Sequence, residues 1–140
     1  MTTSRSDPGL IHIAAAVIVD ARGHTLLVRK RGTKAFMQAG GKVGAGETAV
    51  EALDRELREE LGCGGRSEYR PLGSFTAPAA NEPGSMVHAE LFAVELDGEV
   101  VPAAEIEEAL WHDPDCRPAY AIAPLTREHV LPLVRQWRHQ

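Results

Sequence analysis

GGKVGAGETAVEALDRELREELGC, residues Gly40 to Cys63, is the stretch that decides how the chain is read. It opens as a glycine-rich loop, with Gly40, Gly41, Gly44 and Gly46 letting backbone approach a ligand closely. Thr48 and Glu51 have the spacing of a capping box, which predicts a helix beginning at Thr48. Leu61 is its last good helical residue, and Gly62 ends it as a C-cap. With residues placed about 100° apart, Val50, Leu53, Leu57 and Leu61 form one apolar stripe that faces the core. Glu51, Asp54, Arg55 and Arg58 lie opposite. Glu56, Glu59 and Glu60 share a third face with Ala49 and Ala52, beside the stripe.

Glutamates on a helix are most often plain surface charges. Here Glu56 and Glu60 are a like-charged i, i+4 pair with Glu59 beside them, which destabilises an isolated helix. Glu59 and Glu60 also sit in its C-terminal half, where the macrodipole disfavours negative charge. Next to a buried stripe this repulsion is poorly screened, and a divalent cation relieves it. Hard cations such as Mg²⁺ take carboxylate, water and phosphate oxygens. The His and Cys set that zinc favours is missing from this stretch.

Outward from the helix, Leu10 to Val19 reads as a buried strand and Thr25 to Lys30 as its return across the Asp20–Gly23 turn. The two are expected to be antiparallel neighbours. Arg29, Lys30, Arg31 and Lys34 then precede the glycine-rich loop. They suit either a solvated strand end or phosphate binding, and Arg29, Arg31, Lys34 and Phe36 are taken as substrate-binding candidates. Further strands are expected over Tyr69–Thr76, broken by Pro71, over Met86–Leu96, and in the Glu105–Trp111 segment. Asp113–Pro124 reads as irregular. Pro132 limits the last helix to a short turn from Thr126 and a main body from Leu131 to Arg138. Met1–Gly9 reads as a loose tail and residues 10–140 as one α+β domain.

The chain's 140 residues suffice for one domain with a core of its own. A formal net charge of -5 argues against a stable nucleic-acid partner, which normally leaves a basic footprint. Two cysteines, Cys63 and Cys116, form no metal-type spacing, and a reducing, cytoplasmic setting is expected. The apolar run from Leu10 is about half the length that spans a bilayer, so no membrane association is expected.

The central stretch resembles the signature of the Nudix hydrolases, G-x5-E-x7-R-E-U-x-E-E-x-G-U, where U is apolar. Gly41, Glu47, Arg55, Glu56, Leu57, Glu59, Glu60, Gly62 and Cys63 meet it, with Cys63 as a small hydrophobe where Ile, Leu or Val is usual. The resemblance implies an α/β/α sandwich with a mixed β-sheet between helices. It implies hydrolysis of a nucleoside diphosphate linked to another moiety, with Mg²⁺ or Mn²⁺ as cofactor. Nucleoside triphosphates, ADP-ribose and nucleotide sugars are all open as substrates, and a non-catalytic nucleotide-binding module is the alternative. By the same resemblance Glu56, Glu59 and Glu60, with a carbonyl of Gly40 or Gly41, are metal ligands. Arg55 orients a glutamate of the site, Glu47 by preference. The catalytic set is then Glu56, Glu60, Arg55 and Glu47, and the general base is Glu56, Glu60 or one of Glu82, Glu105, Glu107 and Glu108. Homodimers are common in the family. Many members have Pro before the paired glycines, where this chain has Ala39.

Overall fold

The computed structural model describes residues 10–140; the tail expected over Met1–Gly9 lies outside them. A four-stranded sheet runs in the order β3-β1-β5-β4, from β1 (Leu10–Val17), β3 (Gly40–Lys42), β4 (Arg70–Pro78) and β5 (Met86–Ala93). β1 pairs in parallel with β5 and antiparallel with β3, and β4 returns antiparallel on β5, so the sheet is mixed. The second half of β1, Ala14–Val17, is apolar and buried on both faces, whereas Leu10 and His12 in its first half are exposed. Ala14 and Ala16 enter one core with helix α1 (Ala49–Leu61), and Ala15 and Val17 enter another with the C-terminal helix α2 (Leu131–Arg138). The expected layering of helices about a mixed sheet holds.

The expected pairing of the first two strands does not. β2 (Thr25–Lys30) leaves the turn and pairs with β6 (Ile106–His112) in a separate two-stranded sheet. Only a bridge between Val19 and Thr25 remains of the hairpin. The reason is occupancy: β3 and β5 already hold both hydrogen-bonding edges of β1. These partners come from far along the chain, so local turn chemistry could not announce them.

Helix α1 begins and ends where its sequence dictates. Thr48 Oγ1 accepts from the Glu51 amide at 3.1 Å, and Glu51 Oε1 accepts from the Thr48 amide at 2.9 Å. Gly62 closes the helix at φ 77°, left-handed geometry that favours glycine. Leu53, Leu57 and Leu61 are fully buried against the sheet, each contributing about 2 kcal/mol of apolar burial. Val50 departs from the expected stripe and is 38% exposed; in the first turn it is Ala49 that packs on the core. Thr126–Val130 forms a π-helical turn that runs directly into α2, and Pro132 falls in the first turn of α2, just after it.

Candidate active site

The inner end of the site is made where α1 crosses β3. β3 is an edge strand, and the Gly40 amide donates to Glu60 Oε1 at 3.1 Å. Glu60 is only 3% exposed. Burial pushes its carboxyl up to about 8; the Gly40 bond and Lys30 work against that shift, and the charges of Glu56 and Glu105 add to it. A carboxylate in this position is short of positive charge.

The outer end, one turn earlier, is the reverse. The Arg55 guanidinium donates from Nε to Glu47 Oε2 at 2.9 Å and from Nη2 to Glu47 Oε1 at 2.8 Å. Its Nη1 donates to Glu56 Oε2 at 2.9 Å, and Nη2 also reaches the Lys42 carbonyl at 3.3 Å. One planar fork therefore holds two carboxylates and the backbone after the paired glycines. Glu47 also accepts from the Gly44 amide at 2.7 Å. The Arg55 bonds, and then the Gly44 bond, hold the Glu47 carboxyl down at about 2. Gly41 is required by contact: a Cβ there would stand 2.5 Å from Glu56 Cδ, so any side chain would displace that carboxylate.

Glu59, the third glutamate of the face, is exposed. Among the described residues no group of three or more His, Cys, Asp or Glu side chains stands close enough to hold a metal ion. Glu56 is turned to Arg55 and Glu60 to Gly40, so the three carboxylates share a helix face without converging.

The cations at and after the end of β2 face different partners. Arg29 pairs with Glu108 at 3.2 Å and Arg31 with Glu107 at 3.2 Å, while Lys34 is exposed. Lys30 points the other way, 3.2 Å from Glu105 and within the field of Glu60. Lys30 was weighed with its neighbours for phosphate binding but left out of the substrate-binding candidates, although the period-two pattern of a strand could have separated it from them. Phe36 is a correction. It is 4% exposed, with its ring 4.7 Å from Tyr120 in a core cluster with Leu27 and Ile122, and it has no free face for a base.

A cavity of about 160 Å³ opens beside β3, lined by Lys30, Gln38, Gly40, Gly41, Lys42 and Glu82 among others. Glu82 comes from the β4–β5 loop and stands 3.9 Å from Lys42 Nζ. An inner cavity of about 80 Å³ adjoins it, sharing Ile13, Met37, Gln38, Ala80 and Val87. Glu56 and Glu60 do not themselves line either cavity; the paired glycines line the outer one and none of the larger hollows of about 360 to 460 Å³ elsewhere on the surface. Glu107 and Glu108 are tied to Arg31 and Arg29, whereas Glu82 lines the cavity and Glu105 pairs with Lys30.

A family model for the NUDIX domain matches residues 10–133. The chain belongs to the NUDIX domain family. Over 60 residues, 40% of this chain and 44% of the relative, the chain is 42% identical to an 8-oxo-dGTP diphosphatase of Haemophilus influenzae. The match thus spans less than half of that relative's length. The solution structure of the E. coli ORF135 protein is 28% identical with a TM-score of 0.68, over 93% of this chain and 89% of that one. The crystal structure of a UDP-X diphosphatase is 25% identical with a TM-score of 0.73, over 93% of this chain and 64% of that one. No helix of the described residues is long and apolar enough to cross a membrane.

Proposed function

We propose that this NUDIX-domain protein is a pyrophosphohydrolase that cleaves the diphosphate bond of a nucleoside diphosphate linked to another moiety. The observation that carries the reading is the placement of the signature glutamates. Glu60 lies against the Gly40 amide and Glu56 over Gly41, and those two glycines, though neither glutamate, line the cavity of about 160 Å³. The relatives' names give 8-oxo-dGTP, a nucleoside triphosphate, and UDP-X, a nucleoside diphosphate linked to X, and both classes remain within the proposal.

The residues fit a divalent cation, Mg²⁺ or Mn²⁺, in kind and in charge. Glu56, Glu59, Glu60 and the Gly40 carbonyl offer only oxygen, the donor that hard cations take. Glu60 is buried among like charges with no cation at hydrogen-bond distance, a deficit such an ion fills. When bound, the ion neutralises the diphosphate and lowers the pKa of a coordinated water.

The chain's own groups supply the rest. Arg55 orients Glu47 and Glu56 through its fork. Lys30 and Lys42, both lining the cavity, offset phosphate charge. Water attacks phosphorus, a carboxylate takes its proton, and the bridging oxygen leaves with the other product. Glu82 and Glu105 are the carboxylates outside the helix placed for the proton, beside Glu56 and Glu60 within it.

The test is a panel of nucleoside triphosphates, ADP-ribose and nucleotide sugars, assayed with and without Mg²⁺ or Mn²⁺. Metal-dependent product from at least one compound is expected, and it should vanish in Glu60→Gln. A folded protein that binds nucleotides and yields no product with either ion would replace the enzyme by the binding module.

A further inference from the structure

We propose that the cavity between the loop after β6 and the C-terminal helical segment is a second binding site, which takes a phosphate monoester on Arg117 and Arg135 and its organic body on an apolar floor. The proposal stands apart from the pyrophosphohydrolase reading, because no residue of the signature lines this cavity. Its volume is about 460 Å³. Arg127, Leu131 and Arg135, four residues apart, line it from the helical side, and Arg117 lines it from the loop. The floor includes Pro114, Ile122 and Leu131, all buried. Tyr120 adds an aromatic wall, its hydroxyl already 2.7 Å from His112 Nδ1.

Three arginines meet at one hollow in a chain whose formal net charge is -5, and their charge is only partly spent. Glu128 takes Arg127 at 3.4 Å. Asp115, which also lines the cavity, is held by Arg138 at 3.0 Å and His139 at 2.9 Å. Arg135 donates from Nε to the Pro114 carbonyl at 2.7 Å and makes no ion pair among the described residues. Arg117 is exposed and has neither an ion pair nor a side-chain hydrogen bond among them. Two guanidiniums are thus left without a counter-charge. A phosphate monoester carries about -1.5 to -2 near pH 7 and matches that pair, whereas a lone carboxylate leaves one cation over. Guanidinium forks suit phosphate oxygens in shape as well as in charge. The apolar floor beside a few polar groups is the usual make-up of a small-molecule site.

The bland reading is that the arginines only tie the loop to the helix, as Arg135 does at Pro114 and Arg127 at the Ile122 carbonyl, 3.2 Å away. Arg117 ties nothing, and a reporter stands beside it. Cys116 lines the cavity and is exposed, whereas Cys63 is buried, so one thiol senses occupancy. The Asp113 carboxylate pushes the Cys116 thiol up, which makes it a slow reporter and not an activated nucleophile. With the neutral reagent dipyridyl disulfide, the Cys116 thiolate bonds to one sulfur, the reagent's S–S bond breaks, and a pyridinethiolate leaves. Labelling rates are measured with EDTA present, so that no anion is recruited through a metal at the signature glutamates. The anions are phenyl phosphate, inorganic phosphate and benzoate at matched ionic strength. The proteins are wild type, Arg117→Gln, Arg135→Gln and Arg66→Gln, each checked for folding by thermal melting, with Cys116→Ser as background. Phenyl phosphate should protect Cys116 saturably, at a lower concentration than either other anion. Arg117→Gln and Arg135→Gln should each raise that concentration about tenfold, the scale of losing hydrogen bonds to a charged group. Arg66→Gln should not, since Arg66 pairs with Glu95 away from the cavity. A nucleoside monophosphate that protects better than phenyl phosphate supports the proposal with a nucleotide as the monoester; one that protects less well supports it with another. Protection that does not saturate, that is equal for the three anions, or that is unchanged in Arg117→Gln overturns it.

Discussion

Glu56 and Glu60 stand one helical turn apart on α1 and are held in opposite ways. Around Glu56 the site is an ion-pair lattice, in which Arg55 binds Glu47, Glu56 and the Lys42 carbonyl at the protein's surface. Around Glu60 it is a buried pocket, in which a backbone amide is the partner and the nearby charges include two carboxylates. The outer end is satisfied as it stands and serves to position. The inner end is under-neutralised, which costs stability and leaves room for a cation. The contrast is open to direct attack.

The largest effect is expected from Glu60→Gln, which keeps an acceptor for the Gly40 amide and removes the charge. Turnover should fall on the order of a thousandfold, as for loss of a group that carries charge or proton in the reaction. Stability should move the other way. In the metal-free protein the Glu60 carboxyl ionises near 8, against an ordinary 4.5 in the unfolded chain. The raised pKa means the unfolded state gives up its proton first. Glu60's contribution is therefore fully favourable below pH 4.5 and declines as pH rises to about 8. Melting curves of metal-free protein should show the Gln variant gaining on wild type across that window and equal to it below. Mg²⁺ at pH 8 should stabilise wild type more than the variant. A variant whose stability relative to wild type is the same at pH 8 as at pH 4 would remove the charge deficit from the inner end.

A smaller loss is expected at the outer end. Arg55→Lys keeps the charge but cannot hold both Glu47 oxygens and Glu56 with one ammonium. Freed carboxylates should lower kcat/KM about 10- to 100-fold, the scale of a misplacement near 1 Å. Titration with Mg²⁺ should show a weaker apparent affinity. Full activity in Arg55→Lys would show that charge alone, without the fork, is what Glu47 and Glu56 need.

The difference between the two ends also marks what the sequence could tell. The helix was legible from cap to cap, because Thr48, Glu51 and Gly62 act within a few residues of one another. The face holding Glu56, Glu59 and Glu60 followed from helical period alone. The unequal burial of Glu60 and Glu59 did not, since it depends on β3 lying beneath one and not the other. Pairing of β2 with β6 was hidden for the same reason, its partner arriving some eighty residues later in the chain (Val28 faces Ala109). Phe36 looked free because it sits among cations, yet Tyr120 and Ile122 cover it from the far end of the sequence. Gln38 carried no motif at all; only folding brings Ala16 and Thr126 to its two ends.

The smallest effect, and the one that tests whether the two ends stand independently of the helix start, belongs to Thr48→Ala. It removes the side-chain acceptor for the Glu51 amide and breaks one half of the reciprocal cap. The expected cost is about 1 kcal/mol, read as a drop in the denaturation midpoint at unchanged slope. Activity should stay within about twofold of wild type at temperatures where both are folded, an effect well under 1 kcal/mol on the barrier. Glu47, next to the cap, is fixed by Arg55 and by the Gly44 amide, neither of which passes through Thr48. Glu60 is fixed three turns away by Gly40. If activity falls along with stability, then the first turn of α1 sets the position of Arg55, and the outer end is held by the helix cap as much as by its ion pairs.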